Sequence, residues 1–386
     1  MKMVPLGELI APAKVRRAGS GNFPLLSMTM RDGLVDQSSK FKKRVASEDV
    51  SGYKVVQRGQ LVVGFPIDEG VVDFQSIYDR GIVSPAYGVW DMRNPERMSP
   101  NYIKKFLRSE AALSYYKSKL RGSTARRRSL PTELFLALKV PLPSLGEQRR
   151  IAAILDKAAA IRALRLRSLT MLDELQQACF IAVFGDPGHW AARWSMATIA
   201  DLAESFQYGT SEKSGAVGEF PILRMGNVTR SGKLDLTDLK YIDLDAKDFK
   251  KFGARRGDLL FNRTNSPELV GKTAVVDVDI PLVLAGYLVR VRFAAERQSI
   301  FVSSYLNSRY GKALLRGMAK GAINQANISA SELKMIPIAL PSGSALETFS
   351  LRMTEIAQQR SRIELQLLQI NQIFASLQSR AFRGEL

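Results

Sequence analysis

The sequence predicts a mixed α/β protein: two tandem, pseudo-two-fold related α+β domains separated by an antiparallel coiled coil of two long helices. Three observations carry this prediction. The chain repeats itself at an offset near 198 residues. Two long segments without Gly or Pro share one heptad register. Strand-like and helix-like runs follow one another between these segments.

Internal similarity at a fixed offset marks a duplicated structural unit. "NFPLLSM" begins at Asn22 and "EFPILRM" at Glu219; "RGQLVV" begins at Arg58 and "RGDLLF" at Arg256. "FLRSEAALSYYKSKLRG" (106–122) resembles "YLNSRYGKALLRGMAKG" (305–321), and "KVPLPS", ending at Ser144, resembles "IPIALPS", ending at Ser342. Four matches in one order divide the chain into 1–146, a helix over 147–184, a second domain over 185–344 and a final helix over 345–386.

"EQRRIAAILDKAAAIRALRLRSLTMLDEL" (147–175) is rich in Ala, Leu and Arg, strong helix formers. Its twin starts at Leu346. There the apolar seam runs Phe349, Met353, Ile356, Arg360, Ile363, Leu367, Ile370, Phe374, Leu377, Ala381, alternating steps of four and three as a coiled-coil seam does. Subtracting 198 gives Ile151, Leu155, Ala158, Arg162, Arg165, Leu169, Leu172, Gln176, Cys179, Val183, so both helices carry Arg at the fourth seam position. The expectation is that the two helices pack on each other. The alternative is two separate core helices, each buried in its own domain, but a heptad seam is narrower than a core face. A two-fold between the copies whose axis crosses the helices makes the pair antiparallel, whereas a parallel pair would crowd both domains at one end. A helix over 147–184 measures roughly 55 Å, enough to hold two domains well apart.

Within the second domain, "GEFPILRMGNV", "RRGDLLFNRT", "KTAVVDVD" and "PLVLAGYLVRVRF" read as short strands bounded by Gly. "SIFVSSYLNSRYGKALLRGM" has helical periodicity, and "FGDPGHW" (184–190) stops the central helix.

Composition narrows the partners. The formal net charge is +19, divided as +11 over 1–146, +2 over 147–184, +5 over 185–344 and +1 over 345–386. Such a field favours a polyanion, nucleic acid first and an acidic membrane surface second. One Cys (Cys179) rules out a disulfide framework and fits a reducing cytoplasm. No run approaches a membrane span.

The candidate DNA contacts are placed in loops between the runs. "SSKFKKR" (38–44) offers Lys40, Lys42, Lys43 and Arg44 around Phe41, and "RGSTARRR" (121–128) offers Arg126, Arg127 and Arg128. Its counterpart "KGAINQANIS" (320–329) offers Asn324, Gln325 and Asn327 instead. "FQYGTSEKSG" and "FNRTNS" add Tyr208, Lys213, Arg263 and Asn265. Cations of this kind hold phosphates, while Arg pairs with guanine and Asn or Gln with adenine.

No G-x-x-x-x-G-K-[ST] loop and no Gly-rich strand-to-helix turn for a dinucleotide or adenosyl cofactor is present. "NSPE" at Asn265–Glu268 lacks the second proline and the aromatic of an amino-methyltransferase loop. A single His and a single Cys exclude an ordinary Zn site and a Cys–His pair. The sequence reads as a binder with no catalytic centre, metal or cofactor of its own; a coiled-coil scaffold and an RNA-binding protein are the competing readings.

The motifs "VPLPSLGEQRRIAAILDKAAAIR" (140–162), "FGDP" (184–187), "GAINQANIS" (321–329), "IPIALPS" (336–342) and "LQSRAFRGEL" (377–386) resemble those of type I restriction–modification specificity subunits, the HsdS family. With the repeat, the resemblance covers essentially the whole chain. It implies two target recognition domains, each reading one half of a bipartite, asymmetric double-stranded DNA site, spaced by the helices. It implies docking to DNA methyltransferase subunits, two of them, and to restriction/translocase subunits in the cytoplasm. S-adenosylmethionine, ATP and Mg2+ then belong to those partners. The second helix departs from the pattern: "SGSALETFSLRM" lacks the E-Q-R-R signature.

Overall fold

The computed structural model describes residues 1–40, 48–120, 130–322 and 325–386. These form two compact units, residues 1–164 with 367–386 and residues 165–366. The central helix runs Leu145–Phe184 and the final helix Gly343–Arg383. The division into units therefore cuts each long helix near its middle, where the sequence division treats each helix as a segment of its own.

The first unit is built on a four-stranded antiparallel sheet in the order Ile10–Pro12, Gly88–Met92, Leu61–Val63, Val72–Phe74. A strand at Met3–Pro5 pairs with Lys139–Pro141, Val4 opposite Val140. Two helices cover the sheet. The first, Pro100–Leu107, starts with Pro at its first turn and is capped by Ser99, whose hydroxyl accepts the Tyr102 N–H. The second, Glu110–Lys119, is capped by Ser109. Leu61, Phe74, Trp90, Tyr102, Phe106 and Tyr116 form the core, joined by Ile151 and Leu155 of the central helix and Ala381 of the final helix.

The second unit repeats this plan. Its main sheet runs Ala203–Tyr208, Leu288–Phe293, Leu259–Asn262, Thr273–Val275, the same order as in the first unit. Ser195–Thr198 pairs with Pro337–Leu340. Helices Glu296–Asn307 and Arg309–Met318 correspond to the pair in the first unit, with Ser308 capping the second as Ser109 does. The continuous helical run expected over 299–318 is thus broken at Ser308, whose extended backbone (φ −64°, ψ 163°) ends one helix and caps the next. Phe180, Phe184, Trp190, Phe301 and Phe349 pack as one aromatic cluster, with ring centroids 4.6–6.0 Å apart.

The heptad reading of the final helix holds residue by residue. All ten seam positions from Phe349 to Ala381 are buried or half-buried. Within the second unit Phe349 packs on Phe180 and Phe184, while Arg360, eleven residues later, meets Asp173 and the Leu169 carbonyl, earlier in the central helix. That contact order is antiparallel. Within the first unit Phe374, Leu377 and Ala381 share the cluster of Ile151 and Leu155. One seam position fails. Arg162, the twin of Arg360, is exposed. The seam and core readings of the helices also merge, because the seam residues are themselves part of each unit's core.

"FGDP" ends the central helix as expected. Gly185 takes φ +79° and its N–H bonds the Ile181 carbonyl at 2.8 Å, a left-handed C-terminal cap. Asp186 then caps the short helix Pro187–Ala192. Among the described residues no helix is long and apolar enough to cross a membrane.

Candidate nucleic-acid interface

In the second unit the main sheet carries a projecting loop. The strands Leu259–Asn262 and Thr273–Val275 are extended by the bonds Asn262 N–H to Lys272 O (2.8 Å) and Gly271 N–H to Asn262 O (2.9 Å). Residues 263–270 protrude beyond this closure. They include the strand Thr264–Asn265, which pairs with Gln325–Asn327, itself paired with Lys320–Ala322. Sequence-distant candidates are brought together here, since Asn265 lies opposite Ala326, next to Gln325.

Loops are therefore the wrong description for several candidates. Lys213 and Arg263 lie in irregular chain, but Tyr208 ends a sheet strand, Asn265 and Gln325 belong to the small sheet, and Lys40 ends the helix Gln37–Lys40. The polar, Gly-containing "GAINQANIS" hid strand pairing because cross-strand partners, not composition, decide it. Lys42, Lys43, Arg44, Arg126, Arg127, Arg128 and Asn324 lie outside the described residues.

A solvent-open cleft of about 890 Å³ runs beside the small sheet, lined by Lys213, Arg224, Arg263, Asn265, Lys272 and Tyr287 among others. Lys213 and Tyr287 are exposed at its edge. Arg263 stacks its guanidinium over the Tyr208 ring, 5.0 Å from the centroid. The ring is pinned because its hydroxyl accepts the Ala330 N–H at 2.9 Å. Arg263 Nε is buried without a hydrogen-bond partner among the described residues. Arg224 pairs with Asp238 at 2.8 Å.

Asn265 is partly committed to holding the loop: its amide nitrogen donates to Asn262 Oδ1 and its oxygen accepts the Ser266 N–H, both at 2.9 Å. Gln325 is exposed and shares its strand face with Asn327, whose oxygen accepts the Thr264 hydroxyl at 3.2 Å. In the first unit Lys40 forms a half-exposed surface pair with Asp32 at 2.7 Å, a contact of small energetic weight.

Sequence reasoning missed Arg224, Lys272, Lys312 and Tyr287. Lys272 is 8% exposed and donates to the Met225 carbonyl at 2.8 Å; burial, then Arg230, holds its ammonium below the usual lysine value. Lys312 donates to the Gly271 carbonyl at 2.8 Å. Burial, then the charges of Lys272 and Arg316, pushes it down to about 8.

No family model matches the chain. It is similar to the StySPI specificity subunit of a type I restriction enzyme from Salmonella potsdam, 26% identical over 314 residues, covering 76% of this chain and 67% of that protein. The EcoKI specificity subunit from Escherichia coli K12 is 24% identical over 315 residues, with the same coverage of each. A putative MjaX specificity subunit from Methanocaldococcus jannaschii is 30% identical over 153 residues, 38% of this chain and 36% of that one. Among solved structures, a chain from a study of assembly and conformational transition in the type I R-M system superposes with a TM-score of 0.62 and 16% identity, covering 100% of this chain and 98% of the other. The S subunit of a type I restriction–modification system from M. genitalium gives 0.51 and 13%, covering 99% and 96%. At these identities the structural likeness concerns the fold.

Proposed function

The chain belongs to the HsdS family of type I restriction–modification specificity subunits, and we propose that it is the component that selects DNA sites, each α+β domain reading one half of a bipartite, asymmetric sequence. The observation that carries this reading is the second-unit cleft, where cations, a stacked guanidinium and an exposed tyrosine lie beside the small sheet whose central strand bears Gln325. Cations there position the phosphates; Gln325 reaches a base edge. The net charge of +19 supplies the sequence-independent attraction.

The long helices set the spacing between the half-sites and dock two methyltransferase subunits, with restriction/translocase subunits joining the assembly. Apolar side chains left exposed along them support this, including Met171 (57%), Leu351 (58%), Leu365 (58%) and Leu368 (57%). The chain is non-catalytic alone. S-adenosylmethionine, ATP and Mg2+ act in the partner subunits.

Competition binding tests the reading. Excess unlabelled duplex DNA displaces a labelled duplex from the chain while equal RNA does not. Preference for RNA, or no nucleic-acid binding with partner subunits still captured, contradicts it in favour of an RNA binder or a scaffold.

A further inference from the structure

The two units place different chemistry at one structural position. In the first unit Gly64 N–H bonds Val71 O at 2.8 Å; in the second, Asn262 N–H bonds Lys272 O at 2.8 Å. The preceding residues are Gly70 and Gly271, both in the left-handed region at φ +72° and +75°. Register thus equates Val71, 2% exposed, with Lys272. The helix caps Ser109 and Ser308 likewise equate Leu113 with Lys312. Where the first unit has an apolar pair, the second has two lysines.

The fold does not require these lysines, since valine and leucine serve the same backbone in the first unit. Their presence is also costly. A buried ammonium is ordinarily paired with a carboxylate. Lys272 and Lys312 instead each donate to a backbone carbonyl, with no described carboxylate in ion-pair reach. The charges acting on them are positive: Arg230 on Lys272, and Lys272 and Arg316 on Lys312. Lys272 faces the cleft beside Lys213, Arg224 and Arg263; the described carboxylates there are Glu212 and Asp238, the second already held by Arg224.

We propose that Lys272 forms the floor of an anion site in this cleft that holds one backbone phosphate of bound DNA, with Lys213 and Arg263 at its walls and Lys312 as a positioning residue behind it. The inference rests on the DNA-reading function proposed above and deepens it. A lysine serves as a compact point charge for a phosphate, and the stacked Arg263 supplies a planar fork to the neighbouring oxygens. Lys312 holds the Gly271 carbonyl and so fixes the backbone from which Lys272 projects. A phosphate here anchors the register of the DNA without reading its sequence.

The full-length chain is titrated with duplexes of several unrelated sequences across a salt series, as wild type, Lys272→Met and Lys272→Arg, with thermal melts of each. Lys272→Met should weaken binding to every duplex about fivefold near 150 mM salt and flatten the salt slope by about 0.9, the share of one phosphate. Its melting temperature should hold or rise, because an uncompensated buried charge is gone; Lys272→Arg should restore most of the slope. Wild-type affinity and slope in Lys272→Met overturn the inference while leaving the DNA-reading function standing. Lost affinity that comes with a lowered melting temperature and no rescue by arginine overturns it too, marking a structural lysine. If inorganic phosphate raises the melting temperature of wild type and not of Lys272→Met while DNA binding is equal in both, the site takes free anion and not DNA. A wild-type chain that binds no duplex removes the DNA-reading function itself.

Discussion

Tyr102 and Tyr305 lie one turn apart on corresponding helices, since the helix caps match Tyr305 to Phe106 and Tyr102 to Phe301, yet they do the same thing. Each is fully buried, and each donates its hydroxyl to a carbonyl of the closing strand, Pro141 O at 2.8 Å and Pro337 O at 3.1 Å. Arg162 and Arg360 share a seam position and diverge. Arg360 is 5% exposed and bonds Asp173; Arg162 is exposed. Val71 and Lys272 diverge further. The duplication preserves what closes each core, namely caps, strand pairing and buried hydroxyls. It leaves one seam position and the cleft-side position of Lys272 free to differ.

The seam arginines sharpen this contrast most. Arg360→Ala removes a buried stem and leaves Asp173, half-exposed, without its partner. It should cost about 1–3 kcal/mol in denaturant unfolding, less than a fully buried pair because Asp173 is solvated. Arg162→Ala should stay within about 0.5 kcal/mol. Equal losses would mean that the two seams are equivalent after all.

Lys312 tests whether charge in the second unit opposes stability. Its folded-state value of about 8 lies below the 10.5 of an ordinary lysine. The unfolded chain therefore holds more protons between these values, and stability should climb as pH rises from about 8 to 10.5. Below pH 8 the cost is fully present, at most about 3 kcal/mol, and the lost Gly271 hydrogen bond offsets about 1. Lys312→Met should thus be about 1–2 kcal/mol more stable than wild type near pH 7, an advantage that fades through that window. A flat difference between the two proteins from pH 7 to 10.5 would show that the ammonium is not strained.

The smallest effects belong to the two buried tyrosines. Tyr102→Phe and Tyr305→Phe should each cost about 1 kcal/mol, the net value of one hydrogen bond. A loss confined to one of them would show that only one of the closing strands depends on such a bond.

What could be read from the sequence follows the same division. The final-helix seam was legible at every position because burial there depends on spacing alone. The repeat was legible through "RGQLVV" and "RGDLLF", which occupy the same sheet strand in each unit. Lys213, Arg263 and Asn265 were found as polar residues in short irregular or edge segments. Lys272 and Lys312 were not, because a lysine next to a glycine or on a short helix looks like a solvated surface residue. Their burial depends on the packing of the 263–271 loop against Arg309–Met318, which no local pattern records. Arg162 escaped for the converse reason: seam spacing promises a neighbour but does not supply one.

The most direct measurement exchanges residues 185–344 for the matching region of a relative with a different site, then maps methylation in a host that also expresses the methyltransferase partner. Two domains that read independently predict that one half of the methylated sequence changes and the other half stays. Simultaneous change of both halves, or an unchanged site in an active complex, would contradict the account.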